Sequence, residues 1–478
     1  MLRCALHDRR TIISPFFPII MRTPFFCSLL ATSLLLQLSA QAQSLPKQLD
    51  ALATSYAKAG QFNGTVLVAE HGKVVFTKGY GLANREWNQP NAADTRFRLG
   101  SLTKQFTSML VMQLVEKGKL KLDGHITDYL PDYPKATGDK ITIHHLLTHT
   151  SGIPSYTSQP TFETTSLLPT TPTAFLRTFA ELPLEFEPGS TFHYSNSGYF
   201  LLGTIIEKVT GKTYTQVLTE NILQPLSMQN TGYDLPETIL PKRAAGYDKA
   251  PTGVIYNTTY IDMTVPYAAG SLYSTVGDLY KWDQALYTTQ LLSEASKALL
   301  FKPFKNDYAY AWVASKAVIA KDTVTLLGHS GHVNGFGTYL LRAPQDRQLV
   351  VVLDNEGGPH VKEVSMDLLR VLYHRPTTGP KPEPVAPKTI AVDATTLAGY
   401  AGRYQLAPTF FITVKADGTR LSAQATGQQP LVLAATAPGR FAVQGVPAEL
   451  EFVKNAAGAI DKLILHQDGH DSPGTKVE

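Results

Sequence analysis

Apolar residues recur at Leu49, Leu52, Ala53 and Tyr56, the spacing of one helix face, and the run stops at Gly60. Two short β-type runs follow, Thr65–Ala69 and Val74–Thr77. They flank Glu70-His71-Gly72-Lys73, which predicts a hairpin. Ser101 to Lys117 carries apolar side chains at Phe106, Met109, Leu110, Met112, Leu114 and Val115 and ends at Gly118, a second helix with a natural stop. Pro154 to Pro172 is rich in Pro and Thr and predicts a surface loop; Tyr199 to Thr210 predicts another helix, ending at Gly211. Late in this region Thr323–Leu327, Gly337–Leu341 and Leu349–Leu353 have the look of neighbouring antiparallel strands, and Val361–Tyr373 follows as a closing helix. Strands at both ends with helices between them predict an α+β domain over 43–373 whose terminal segments share one sheet.

The texture then changes twice. Pro376, Pro380, Pro382, Pro384 and Pro387 define a stiff linker over 374–392. From Asp393 to Glu478, short alternating runs are separated by turn pairs. The runs are Phe411–Val414, Leu431–Leu433, Phe441–Val443, Leu450–Val453 and Leu463–Leu465, and the turns are Asp417-Gly418, Pro438-Gly439 and Asp468-Gly469. This is the pattern of a small all-β domain, a barrel or a sandwich.

Composition narrows the function classes. Of 478 residues, 43% are hydrophobic and 17% charged, which places the chain among globular proteins. The formal charge of +4 is concentrated in residues 1–42, where Arg3, Arg9, Arg10 and Arg22 outnumber the single Asp8, so nothing marks a nucleic-acid partner. Both cysteines, Cys4 and Cys27, lie in the same leader. Arg22, the apolar stretch Phe25–Leu38 and Ala40-Gln41-Ala42 have the order of an export signal that begins at Met21, an alternative start. A mature chain beginning near Gln43, periplasmic or secreted, would have no thiol, which removes disulfides, a cysteine nucleophile and thiolate metal sites together.

Ser-x-x-Lys occurs three times, at Ser44/Lys47, Ser55/Lys58 and Ser101/Lys104, where about one hit is expected by chance in a chain of this composition. Context separates them. Only Ser101 opens a strongly apolar helix, where free N–H groups and the dipole favour developing negative charge. Lys104 lies one turn on, and partial desolvation there would lower its pKa and make it a usable base. A serine N-cap beside a surface lysine is the plainer alternative. Tyr194-Ser195-Asn196 sits in a polar loop before a helix: a tyrosine among cations can act as a base, and an Asn amide can hold a substrate amide, although Tyr, Ser and Asn are also ordinary turn residues. Gly328-His329-Ser330-Gly331-His332-Val333-Asn334-Gly335 places three glycines in a strand-like run, which points to close backbone approach. His145 and His149 have i, i+4 spacing, but Leu146 stands where a zinc helix of the HExxH type has its Glu, so hydrogen-bonded imidazoles are the reading and no metal is expected. No GxSxG elbow or phosphate-binding loop is present.

Taken in order, Ser101-Leu-Thr-Lys104, Tyr194-Ser-Asn196 and His329-Ser330-Gly331 resemble the three motifs of the serine β-lactamase and penicillin-binding protein superfamily, and most closely its class C-like branch of β-lactamase-related serine hydrolases. Leu146–Gly152, Pro188–Asn196 and Ala269–Asp278 also resemble family segments, and Tyr400–Tyr404 resembles small β-barrel domains attached to this branch. The resemblance implies an antiparallel sheet flanked by helices with an all-helical lobe. It further implies Ser101 as nucleophile, Lys104 as its activating partner, Tyr194 as proton shuttle, and a substrate site formed by Asn196, His329, Ser330, Gly331 and His332. The N–H groups of Ser101 and His332 would form the oxyanion hole, with no cofactor and no metal. Where the family usually has Lys, this chain has His329, which is neutral for much of the time near pH 7. An ester or a D-amino-acid amide is therefore the expected substrate. A β-lactam or D-Ala-D-Ala peptide is the alternative, and a cell-wall binding protein that acylates without turnover is the third.

Overall fold

A computed structural model describes residues 44–477 apart from 251–252, 320–321, 383–388, 408–409, 427–429, 445, 447 and 468–469. The leader, with both cysteines and the cleavage pattern, lies outside the described residues, as do Pro384, Pro387 and the Asp468-Gly469 turn.

Helix α1 (Leu45–Lys58) buries Leu49, Ala53 and Tyr56, the face read from the spacing. Strands β1 (Gly64–Glu70) and β2 (Lys73–Tyr80) form the hairpin. Its turn residues His71 and Gly72 both have positive φ, 48° and 74°, the backbone handedness that a tight hairpin needs. The apolar helix α2 (Thr103–Glu116) begins after a 3-10 turn, Gly100–Leu102, and is buried around its whole circumference from Thr103 to Leu114. Helix α3 (Asn196–Thr210) packs on it and ends at Gly211 in the left-handed conformation. Short helices such as Ile126–Tyr129, Ile143–Leu147 and Pro172–Leu176 complete the helical lobe, and α4 (Val276–Ala285) covers the sheet.

Strands β3 (Val313–Ile319), β4 (Asp322–Val333), β5 (Phe336–Ala343) and β6 (Gln348–Asp354) then join the hairpin in the order β3-β4-β5-β6-β1-β2, antiparallel at every pairing. Val66 of β1 lies opposite Val352 of β6, so the two ends of the domain share the sheet. All seven residues of β6 are buried, which explains its unbroken apolar run: Leu349, Val351 and Leu353 face the core of the helical lobe, while Val350 and Val352 face α1 and α5 (Val361–Leu372). Among the described residues no helix is long and apolar enough to cross a membrane.

The C-terminal region is a closed barrel of eight antiparallel strands: β7 (Gly402–Ala407), β8 (Phe410–Asp417), β9 (Arg420–Ala425), β10 (Leu431–Ala437), β11 (Arg440–Val443), β12 (Ala448–Lys454), β13 (Ile460–Gln467) and β14 (His470–Lys476). Alternate residues fill it, among them Tyr404, Ile412, Val414, Leu421, Phe441, Leu450, Phe452 and Leu463, and closure removes the free strand edges that invite aggregation.

Two expectations change. The first part of the predicted surface loop is buried: Pro154, Ser155 and Tyr156 lie under the start of α3, where Tyr156 N–H donates to Ser197 Oγ at 2.9 Å and Ser197 Oγ donates to the Pro154 carbonyl at 2.7 Å. The linker is also not a bare spacer over its first residues. The buried carboxylate of Asp367 on α5 accepts bonds from Thr378 N (3.1 Å), Gly379 N (2.7 Å) and Tyr56 Oη (2.9 Å), and Gln61 donates to the Lys381 carbonyl. A chain ending at Pro382 keeps these bonds and one ending at Tyr373 loses the linker's share. Both are expected to fold, the shorter melting a few degrees lower for a loss of about 1–2 kcal/mol. Thermal unfolding of the two truncations checks this; equal melting temperatures would show that the linker contacts contribute nothing.

Candidate active site

The site begins with two backbones that touch. Gly100, φ 54°, lies against β4 so closely that a Cβ on it would sit 2.7 Å from His332 N; a Cβ on Gly331 would sit 1.9 Å from the Leu99 carbonyl oxygen and 3.0 Å from Ser101 N. Glycine is required on both sides for this approach. Thr338 of β5 secures it by donating to the Leu99 carbonyl at 2.8 Å. The contact brings the backbones of Ser101 and His332 close together at the start of α2, a closeness that an oxyanion hole requires.

Lys104, one turn along, is fully buried. Its Nζ lies 3.0 Å from Ser101 Oγ, 2.8 Å from Asn196 Oδ1 and 2.8 Å from the Ala269 carbonyl oxygen. Burial holds its pKa well below that of an ordinary lysine. A neutral amine has two N–H donors and one lone pair. The Ala269 carbonyl can only accept, and the Asn196 amide is oriented by its Nδ2 donating to Thr157 Oγ1 at 3.2 Å, so Oδ1 also accepts. Those two acceptors take the two N–H groups, and the lone pair is left facing Ser101 Oγ. In this geometry Lys104 can remove the serine proton as the hydroxyl attacks a carbonyl.

The Ala269 carbonyl is presented by a tight turn, Tyr267–Gly270, in which Tyr267 has φ 44°. Gly203 on α3 lets this turn in, since a Cβ there would sit 2.4 Å from the Tyr267 ring. Tyr194 lies above Lys104, with Nζ 5.0 Å from its ring centroid. Its buried hydroxyl lies beside that of Ser101; burial pushes its pKa up, and the interaction with the Ser101 hydroxyl opposes that only in part. Tyr194 is thus a neutral phenol at rest, suited to passing a proton rather than to holding negative charge.

The cleft is a cavity of about 530 Å³ lined by Ser101, Phe192, Tyr194, Asn196, Asn306, Tyr308, Val313, His329, Ser330 and His332. Strand β3 pairs β4 only as far as Gly328, so the residues from His329 to Val333 present an edge beyond the end of β3. His329 is 5% exposed, and burial first and the nearness of the basic Lys104 second pull its pKa down to about 4. The structure therefore brings together all of the residues selected from the motifs: Ser101, Lys104, Tyr194, Asn196, His329, Ser330, Gly331 and His332. The other two Ser-x-x-Lys pairs lie elsewhere; Ser55 on α1 donates to the Leu52 carbonyl at 2.7 Å, and Ser44 is exposed. His145 and His149 do not share a helix face. The helix ends at Leu147, His145 pairs with Thr142 in a capping box, and His149 turns inward at φ 56°.

With this geometry established, comparisons place the chain. The Beta-lactamase family model matches residues 49–375, and the chain belongs to that family. It is a serine hydrolase of the β-lactamase and penicillin-binding protein type. It is 28% identical over 458 residues to penicillin-binding protein 4* of Bacillus subtilis, covering 91% of this chain and 100% of that protein. A penicillin-binding protein from Bacillus halodurans matches with 31% identity and a TM-score of 0.59 over 65% of this chain and 98% of its own. The D-amino acid amidase of Ochrobactrum anthropi matches with 25% identity and a TM-score of 0.59 over 69% of this chain and 97% of its own.

Replacing Ser101 with Ala is expected to abolish turnover, while Ser44→Ala and Ser55→Ala leave it unchanged. Lys104→Met and Tyr194→Phe should each lower kcat by about a hundredfold or more, the scale of a lost proton-transfer group. Activity should be unchanged in EDTA. Mass spectrometry of a fluorophosphonate adduct checks the first assignment directly, and a label on any other serine overturns it.

Proposed function

We propose that this protein hydrolyses an uncharged ester or a D-amino-acid amide through an acyl-enzyme on Ser101. Lys104 is the base in acylation, Tyr194 passes the proton to the leaving group and later takes one from the attacking water, and the N–H groups of Ser101 and His332 receive the oxyanion. Asn196 and the β4 edge at His329, Ser330, Gly331 and His332 hold the substrate; with its Oδ1 and one N–H engaged inside the protein, Asn196 has one N–H left for this.

The observation that carries the choice of substrate is the cavity lining. None of its ten residues is Lys, Arg, Asp or Glu, and His329 is neutral across the physiological range. A fixed cation facing a substrate carboxylate is worth roughly 1.5–3 kcal/mol as a charge-assisted bond, and this pocket lacks one. Phe192, Tyr308 and Val313 supply apolar surface instead. Similarity to the Ochrobactrum amidase supports the amide reading. Similarity to penicillin-binding protein 4* keeps β-lactams and D-Ala-D-Ala peptides as the second reading. We also infer export to the periplasm or beyond, on the strength of Arg22, Phe25–Leu38 and Ala40-Gln41-Ala42, with small or peptide-like substrates that include cell-wall fragments.

Initial-rate kinetics on a p-nitrophenyl ester, a D-amino-acid amide, nitrocefin and a peptide ending in D-Ala-D-Ala distinguish these readings. kcat/KM is expected to be at least about tenfold higher for the ester or the amide than for nitrocefin or the peptide. The reverse order would establish the second reading. A persistent fluorescent-penicillin label with no turnover of any substrate would establish a binding protein.

A further inference from the structure

Four hydrogen bonds run in line through one wall of the cleft. Ser195 N–H reaches His149 Nδ1 (3.2 Å); His149 Nε2 reaches Tyr308 Oη (3.1 Å); Tyr308 Oη reaches His329 Nε2 (3.0 Å); and His329 Nδ1 reaches the Ser330 carbonyl oxygen (2.6 Å). Both ends are one-way. A backbone N–H can only donate and a carbonyl oxygen can only accept. His149 Nδ1 is therefore a bare acceptor, and the proton of the neutral ring sits on Nε2 and is donated to Tyr308. The Tyr308 hydroxyl proton then goes to His329 Nε2, and the proton of His329 sits on Nδ1 and is donated to Ser330. Every N–H and O–H proton along the line is donated once.

The line resists a charge on His329. A protonated His329 would aim an N–H at the Tyr308 oxygen, which already receives an N–H from His149, and Tyr308 would have to withdraw its own proton from the line. The surroundings act in the same direction. His329 is buried, the basic Lys104 and His332 lie near enough to disfavour a charge on it, the Tyr194 ring lies 6.3 Å away, and Tyr199 beyond Tyr308 is already bonded to the Leu147 carbonyl and Ser108; among the described residues no carboxylate pairs with it. His149 is committed to this place at a structural cost. It is a non-glycine residue in the left-handed region, its carbonyl accepts His193 N–H at 2.9 Å, and its ring lies against that of Tyr194, tilted by 37°, with centroids 4.1 Å apart.

We propose that His149 and Tyr308 are positioning residues that lock His329 as the neutral Nδ1–H tautomer with both ring nitrogens occupied, so that the site selects acyl donors lacking a carboxylate at this position. The selectivity half of this proposal rests on the hydrolase reading above; the lock itself does not. Neither residue touches the reacting atoms. Tyr308 breaks the line when replaced by Phe, which keeps the ring in place. His149→Asn tolerates the left-handed backbone but is too short to reach Tyr308, and serves as the second variant should the first not fold.

Nitrogen NMR of the His329 ring, assigned with His329→Gln, reads the lock without reference to activity. The wild type is expected to show the Nδ1–H tautomer unchanged from pH 5 to 9, and Tyr308→Phe or His149→Asn to show His329 titrating within that range. An Nε2–H tautomer, or titration of the wild type above pH 5, overturns the lock. The kcat/KM ratio of nitrocefin to a p-nitrophenyl ester reads the selectivity. In the variants it is expected to rise about tenfold at pH 5 relative to wild type and to match wild type at pH 9. A titrating His329 with an unmoved ratio would leave the lock standing and overturn its role in selectivity.

Discussion

The chemistry depends on a lysine from which water is excluded. Lys104 projects from a helix that is buried on every side, and its amine is surrounded by one serine, one amide oxygen and one backbone carbonyl. An ammonium group there loses its hydration, so burial pushes the pKa well below that of an ordinary lysine and makes the basic lone pair easier to free. The apolar residues of α2 are thus more than core. They set the protonation state of the one polar side chain that must differ from its solution behaviour.

The rest of the domain supplies the partners of that amine from distant parts of the chain. The helical lobe contributes Asn196 through α3, and the turn after Pro266 contributes the Ala269 carbonyl. The sheet contributes the β4 edge, brought against Ser101 by Gly100 and Gly331. Each approach is closer than side chains would permit, which is why glycine stands at Gly100, Gly331 and Gly203. The sheet is rigid enough to serve as a wall because β6 is buried on both faces and β1 closes it from the other end of the sequence. Within the wall, the His149–Tyr308–His329 line determines what the third motif offers to a substrate.

Much of this was legible in the sequence because the signals are local. The β1–β2 hairpin announced itself by His71-Gly72, α2 by its apolar spacing and Gly118, and β6 by its unbroken run of Leu and Val. The choice of Ser101 over Ser44 and Ser55 followed from the apolar helix after it. What could not be read was long-range or carried by the backbone. The Ala269 carbonyl has no side-chain signature. Thr157 sits in a Thr-rich stretch that reads as loop, yet it orients Asn196 across 39 positions. His149 was visible as a histidine at metal-like spacing from His145, but that spacing assumed a helix that in fact ends at Leu147. The burial of Pro154–Tyr156 likewise depends on Ser197, a contact that neither segment reveals alone.

The protonation state of Lys104 can be observed directly. In protein labelled with carbon-13 at lysine Cε, the Lys104 resonance is identified as the one missing from Lys104→Met and followed from pH 5 to 11. A titration midpoint well below that of an ordinary lysine is expected. A Lys104 resonance that remains in the charged position up to pH 10 would contradict it.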